Sequence, residues 1–460
     1  MSKGDHSRRE FLKQNSIAVI GATIASGIAP SLFAGSLTGV DIPAILGGKA
    51  VRSKEWPQWP QWNPETDEKR VLEVLRSGVW SRSDTVTEFE KKWAETVGAK
   101  RCLAVVNGTN ALFVSLVQHG IGAGDEVIVP PYTFIASVTA ILSTGAMPIF
   151  VDTDPETFQI DVTKIEGKIT PRTRAIMPVH LAGLPADMVR VIEIAKKHDL
   201  IVVEDACQAH LAEINHQKVG TLGHAGCFSF QNSKNLPIGE GGAIVSNNEG
   251  FIDRCYSYHN FGNPFGSVVG SVNAGTVIKG TKLRLTEYQA AIGLAQLARL
   301  ESQTVTRIEN AVYLVSRLRD IPGILPCKLC PNVSRAIYFL FPFRYKKEEF
   351  QGLSRTGFIN ALEAEGVPCS SGYSPLNKMP YLNDAFTSKN YKKTYPLEML
   401  DFDSYLAQNQ CPENDRLCNE EAVWFTQNLL LTDQSGMNDI SNAIEKIHKN
   451  AGKIKKAGNQ

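Results

Sequence analysis

The chain has almost no surplus charge. Its 48 lysines and arginines face 47 aspartates and glutamates, a formal net charge of +1. No basic run occurs, and no stretch interleaves basic with aromatic residues, so nucleic acid is not an expected partner. Internal repeats and low-complexity tracts are also missing. Metal-binding patterns are thin. Cys327-Lys328-Leu329-Cys330 has CxxC spacing, but neither a second pair nor a histidine cluster completes a zinc site, and no metal is expected. The nine cysteines are odd in number, so at least one stays free unless it pairs between chains. Cys102, Cys207 and Cys227 lie in or beside strand-like runs and read as small buried hydrophobes. Pairs such as Cys327–Cys330 or Cys411–Cys418 are open to an oxidising compartment.

A convincing membrane span is lacking too. The charge-free stretch at 14–40 is broken by Gly21, Gly27 and Pro30 and is too weakly apolar for a spanning helix. Ahead of it, Ser7-Arg8-Arg9-Glu10-Phe11-Leu12-Lys13 reads as a twin-arginine signal, with the leader covering residues 1–35. Leu32-Phe33-Ala34 offers small-residue cleavage chemistry, and retention of the segment as an anchor stays open. The expectation is a periplasmic or otherwise exported protein, delivered by the machinery that reads the arginine pair.

What is present looks like an ordinary globular chain. At 460 residues, with 43% hydrophobic and 21% charged, it has room for two or three domains. Strand-like runs at 101–106, 126–129, 147–151, 175–179 and 200–205 alternate with helical patterns ending near 119, 143 and 198. Continuous apolar strands between amphipathic helices predict an α/β fold, a mostly parallel sheet covered on both faces. Ligands on such sheets bind at the carboxyl ends of strands. Asn107, Pro131, His180, Asp205 and Gln231 fall there. A helical pattern at 71–97, broken at Ser77-Gly78-Val79-Trp80, precedes the first strand, and a long connector helix is predicted from 283 past 300. Beyond about 319 a strand at 337–345 and helices at 352–365, 419–431 and 437–449 predict a smaller α+β domain. The expected boundaries are 42–300 and 301–450, with a lysine-rich tail at 451–460 that frays.

The densest chemistry surrounds Lys234. It follows Gly226-Cys227-Phe228-Ser229-Phe230-Gln231-Asn232-Ser233 and precedes the glycine run Gly239-Glu240-Gly241-Gly242. Upstream, Ile201-Val202-Val203-Glu204-Asp205 ends an apolar strand in a carboxylate, which is costly to bury unpaired. Taken alone, a lysine is nearly always a solvated surface residue. Placed after a short apolar strand, with an acid ending an earlier one, it is what a pyridoxal 5'-phosphate (PLP) site needs. The amine forms a Schiff base with the aldehyde, and the carboxylate keeps the pyridine nitrogen protonated. Asn107-Gly108-Thr109-Asn110 opens a helix directly after a strand. Free amides and the positive end of the helix dipole make that turn an anion site, and Gly108 lets a phosphate approach the backbone.

On these motifs the chain resembles the DegT/StrS-type sugar aminotransferases, PLP enzymes of fold type I, from about residue 42 to about 450. Its Ser-Phe-Gln-Asn-Ser-Lys followed by Gly-Glu-Gly-Gly is most similar to the cyclitol (scyllo-inosose-type) aminotransferases and the aminohydroxybenzoate synthases. The resemblance implies a phosphate-binding turn on Gly108, Thr109 and Asn110, with the Ser229 hydroxyl reaching the same phosphate. It places the Phe134 ring on the pyridine, where a bare reading would pack it into the core. Asp205 would face the ring nitrogen and Gln208 the phenolic oxygen. Lys234 becomes both covalent anchor and proton shuttle, removing the α-proton of an amino donor and returning it, with a ketone substrate running the sequence backwards. Relatives that remove a hydroxyl carry histidine there instead.

Tyr132, His180 and Tyr373 are candidate substrate contacts, His180 equally a helix-capping or structural residue. Lys282 stands where many relatives have an asparagine that reaches the neighbouring subunit's phosphate, a contact lysine would make as a point charge. A homodimer with shared sites is implied. The expected reaction moves an amino group from glutamate or glutamine to a keto-sugar or keto-cyclitol. A PLP-dependent dehydratase or lyase on a related cyclic substrate, or a non-catalytic exported sugar-binding member, are the alternatives.

Overall fold

The computed structural model describes residues 42–267 and 275–458. The expected leader at 1–35 lies outside them. From Gly39 onward the chain clusters as one compact unit.

In chain order the strands are β1 (Arg101–Val105), β2 (Glu126–Val129), β3 (Met147–Phe150), β4 (Thr173–Ile176), β5 (Ile201–Asp205), a ribbon of β6 (Glu213–Ile214) and β7 (Gln217–Lys218), then β8 (Ala225–Ser229) and β9 (Gly242–Ser246). Seven of them form the main sheet in the order β1-β9-β8-β5-β4-β2-β3. Only β9 runs against the rest. The near-continuous apolar strands are buried on both faces, as a parallel sheet requires. One face packs on the helices Gly108–Gln118, Ala136–Thr144 and Glu249–His259. The other packs on Asp84–Val97 and Met188–Lys197 and runs on into a second core.

That second core is built on β10 (Ile324–Pro326), β12 (Leu340–Tyr345) and β13 (Ala422–Thr426), an antiparallel sheet in the order β10-β12-β13; between them β11 (Val333–Arg335) joins the β6–β7 ribbon. The helix Glu287–Leu318 links the two, so the boundary expected at 300 falls inside a helix. Its start is set by Thr286 and Gln289, which cap each other reciprocally. The helical pattern expected from 283 begins four residues late. Leu283 and Arg284 are taken by the sheet edge, where Leu283 O accepts from Val106 N.

Three further expectations need correction. The first helix starts at Pro64, not at 71, because Asn63 caps it and proline suits the first turn. The helix expected at 419–431 is instead a π-turn, Leu417–Glu421, followed by β13. Val423, Trp424 and Phe425 are strand formers, and pairing with Phe341, Pro342 and Phe343 on β12 draws them into the sheet. The lysine-rich end does not fray at 451. The helix Gln434–Gly458 buries Ile447, Ala451 and Ile454 against the second core.

A run of short helices between Pro380 and Gln408 covers the outer edge of β3. Tyr391, Tyr395 and Tyr405 donate through their hydroxyls to the carbonyls of Ala146, Gly145 and Pro148, and Asn409 Oδ1 accepts from Phe150 N. An exposed parallel edge would be a template for aggregation; here its polar groups are satisfied within the chain. All nine cysteines are free thiols, including Cys327, Cys330, Cys411 and Cys418.

Candidate active site

β5 and β8 are neighbours and β1 lies one strand further on, across β9; the carboxyl ends of the three line a cleft of about 490 Å³. The turn after β1 supplies Asn107, Gly108 and Thr109. Asn107 Oδ1 accepts from Asn110 N at 2.9 Å, and the Asn110 amide donates to the same oxygen. This holds the next amides at the open end of the helix Gly108–Gln118. Gly108 cannot be larger: a Cβ there would lie 2.8 Å from both Cys207 Sγ and Ser229 Cβ. The turn is therefore pressed against the end of β8, with Ser229 in the cleft wall. Gly242, last of the glycine run, allows this approach, since its own Cβ would meet Asn107 C at 2.4 Å.

Asp205 ends β5 and is 5% exposed. Ser137 Oγ donates to its Oδ2 at 2.7 Å and Cys207 N to its Oδ1 at 3.1 Å. Among the described residues no basic side chain comes within ion-pair distance of it. Such a carboxylate has room for a cationic N–H partner, and a protonated pyridine nitrogen is one. Lys234 lies in the turn after β8, held by Lys234 N donating to Gln231 O and by Trp59 Nε1 donating to Lys234 O. Its amine sits 4.3 Å from the centre of the Phe339 ring, with no carboxylate of the described residues in contact. Burial lowers its proton affinity below the ordinary lysine value, against the opposing pull of Cys207 and Asp205. An amine so placed is readied as a nucleophile and base.

Gln208 is buried beside these groups. Its Oε1 accepts from Ala182 N at 2.8 Å and its Nε2 donates to the Tyr373 hydroxyl at 3.1 Å. Burial pushes the Tyr373 phenol up to about 12, so it stays neutral. Phe134 is 56% exposed with its ring on the cleft, which excludes the core-packing reading.

Thus Gly108, Thr109, Phe134, Asp205, Gln208, Ser229, Lys234 and Tyr373 meet in one cleft. Asn110 is at its edge, tied to Asn107. Two candidates are not in it. Tyr132 is fully buried behind Tyr373, ring centres 5.6 Å apart. His180 is also fully buried; its Nε2 pairs with Glu204 Oε2 at 3.0 Å and its Nδ1 accepts from Ala186 N. It is a structural residue that braces the turn after β4. Lys282 is exposed, on a strand bridge with Asn260. Sequence reasoning missed Ser137, Cys207 and Phe339. Ser137 follows Thr133 at i+4, a weak signal, and Phe339 arrives from a distant segment with none. A larger recess of about 840 Å³ by Arg82, Lys91 and Arg101 holds none of these groups. Chemistry, not size, selects the cleft.

A parallel-sheet α/β fold with lysine, carboxylate and an anion-binding turn at the carboxyl ends of its strands defines a fold-type I PLP enzyme. The chain belongs to the DegT/DnrJ/EryC1/StrS aminotransferase family, whose model matches residues 63–398. It is an aminotransferase, and PLP is its cofactor. It is 34% identical over 419 residues to the L-glutamine:2-deoxy-scyllo-inosose aminotransferase of Streptomyces kanamyceticus, covering 88% of this chain and 96% of that one. It is 37% identical over 297 residues to the GDP-perosamine synthase of Caulobacter vibrioides, covering 64% of this chain and 78% of that one. Among solved structures, 3-amino-5-hydroxybenzoic acid synthase superposes with a TM-score of 0.76 at 31% identity, covering 87% of this chain and all of that one.

Proposed function

We propose that this chain moves the amino group of glutamine onto the carbonyl of a keto-cyclitol. The observation that carries the chemistry is the Lys234 amine, its proton affinity lowered and no carboxylate of the described residues in contact, in a cleft that also presents the Asp205 carboxylate. The substrate reading is supported by the near full-length likeness to a scyllo-inosose aminotransferase.

Bound PLP supplies an aldehyde to carry the amino group and a ring to accept the electron pair released at the α-carbon. The chain's own groups do the rest. Amides at Gly108 and Thr109, with the Ser229 hydroxyl, would hold the phosphate. The Asp205 carboxylate would keep a proton on the ring nitrogen. Phe134 would lie against the ring, and Lys234 Nζ would anchor the cofactor and carry the proton between carbons.

A homodimer with shared sites fits the surface. Trp80, Phe261, Phe265 and Val277 are each more than half exposed, apolar side chains that a second copy would cover. Lys282 is exposed and free to reach a neighbour's phosphate. Delivery to the periplasm rests on the arginine pair at Arg8 and Arg9.

The test is product analysis of purified protein given keto-cyclitols and keto-sugars, with and without glutamine or glutamate. Amine formed from a keto-cyclitol only with the donor is the expected result. Loss of water without any donor would replace aminotransfer by the lyase reading.

A further inference from the structure

The turn Leu181–Gly183 lies beneath Gln208, and nearly every polar group on it is held. Ala182 has φ 60°, a left-handed conformation that residues other than glycine rarely keep without support. Its N–H donates to Gln208 Oε1 at 2.8 Å. Beside the backbone bonds Leu184 N to Leu181 O and Gly183 N to His180 O, the side-chain support comes from the amide of Gln159. Leu181 N donates to Gln159 Oε1 at 3.1 Å, while Gln159 Nε2 donates to Leu181 O at 3.3 Å and to Thr157 O at 3.1 Å. Gln159 is 2% exposed, too deep to touch a ligand.

The same turn reaches the other side of the cleft. Gly183 O accepts from Ile337 N at 3.0 Å, and a Cβ on Gly183 would lie 2.8 Å from Phe339 N. Phe339 is the ring beneath the Lys234 amine. These bonds also decide which way round the Gln208 amide lies. Ala182 N–H claims the oxygen, so the nitrogen turns to the Tyr373 hydroxyl and the cleft.

We infer that Gln159 is a positioning residue of the site: by clamping Leu181 it keeps the Ala182 N–H under Gln208 Oε1, so that Gln208 presents a donor to the cofactor's phenolic oxygen. The inference rests on the reading of the cleft given under Proposed function, with Gln208 facing the phenolic oxygen as the family resemblance implies. A donor there favours the deprotonated form of that oxygen. An amide released from Ala182 turns either end to the cleft and loses that bias.

The experiment is a pH titration of the bound cofactor's visible absorption band in reconstituted holoenzyme. In Gln159→Leu the midpoint rises by about one pH unit, the size that one hydrogen bond to a charged oxygen supports. Gln208→Leu moves it the same way, and the double variant moves no further than Gln208→Leu alone, because the two residues act through one bond. Should the leucine variant not accumulate, Gln159→Asn withdraws the same contacts by one methylene with less disturbance of packing, and the same rise is expected. A role confined to packing would lower thermal stability and cofactor content yet leave the midpoint at the parent's value, and that result overturns the inference. If the parent's band is unchanged in Lys234→Ala, the reading of the cleft itself fails, and the inference with it.

Discussion

Gly242→Ala should damage cofactor binding far more than its distance from any reacting atom suggests. Gly242 opens β9 and pairs with Val105 on one side and Ser229 on the other, between the turn proposed to hold the phosphate and the strand that leads to Lys234. The added methyl would lie 2.4 Å from Asn107 C, 2.5 Å from Asn107 O and 2.7 Å from Gly108 N, all backbone atoms. Carbon contacts relax near 3.5–4.0 Å, so the turn must recede by about 1 Å. It cannot slide sideways, since Gly108 is already pressed on Cys207 and Ser229. Overpacking of this kind costs about 1–3 kcal/mol of stability. A receding turn also loses one or more charge-assisted bonds to the phosphate, each worth about 1.5–3 kcal/mol, or roughly a ten- to hundredfold rise in Kd.

The assay is titration of apoprotein with PLP, followed by absorbance, beside Gly239→Ala as control. Gly239 has φ +89° and no atom within 4 Å of a built Cβ, so alanine there strains the backbone by about 1 kcal/mol and leaves the turn in place. If a folded Gly242→Ala binds PLP as tightly as Gly239→Ala does, the cradle argument is wrong.

Lys234→Ala should abolish turnover and covalent retention of the cofactor with the fold intact; borohydride reduction followed by mass measurement checks the attachment, and undiminished amino transfer would remove Lys234 from its role. Asp205→Asn should keep cofactor but lose about a hundredfold in kcat, the scale of one charge-assisted interaction, and an unchanged kcat would give the acid another task. Burial lowers the proton affinity of His119 to about 4 and of His210 and His259 to about 3. The unfolded chain takes up these protons near 6.5, so the stability they contribute is full above that value and falls toward pH 4 and 3, by up to about 1.4 kcal/mol per pH unit for each. Urea midpoints at about pH 7.5 and 5.5 should drop on acidification, and a rise would contradict the sign. Replacing Arg8 and Arg9 by lysine should hold active, cofactor-loaded protein in the cytoplasm on fractionation, whereas export equal to the parent would end the twin-arginine reading.

The parallel sheet was legible because its strands are apolar on both faces. Ile201-Val202-Val203 and Cys227-Phe228 have no polar side to give the period-two pattern of a half-solvated strand, and the helix Met188–Lys197 ahead of β5 does show 3.6-residue periodicity. The second sheet was less legible. Ala422–Thr426 is as short and apolar as a buried helix turn, and periodicity over five residues does not separate the two. What decides is the distant partner strand Leu340–Tyr345, which no local pattern contains. The short helices over the β3 edge escaped for a related reason. Their tyrosines are spaced by the positions of carbonyls on another element, not by a period of their own.

At the site, residues bound to backbone geometry were readable and residues chosen by side-chain direction were not. Gly108, Asp205 and Lys234 follow or end strands, where a glycine allows close approach, a buried acid needs a partner and a lysine gains meaning from that acid, while Ser229 was read from the family resemblance. Tyr132 and Phe134 are two positions apart in one loop after β2, yet one is buried behind Tyr373 and the other opens on the cleft. Past Val129 the chain no longer alternates, so a strand-end position says nothing about which side a ring takes. His180 fails in the same way. It follows a strand-like run, but Glu204 is buried beside it, with the amides of Gly220, Leu222 and Gly223 on its two oxygens, and the imidazole joins that buried carboxylate rather than any substrate. The polar demand of a buried neighbour overrides the topological expectation, and it is written 24 residues away.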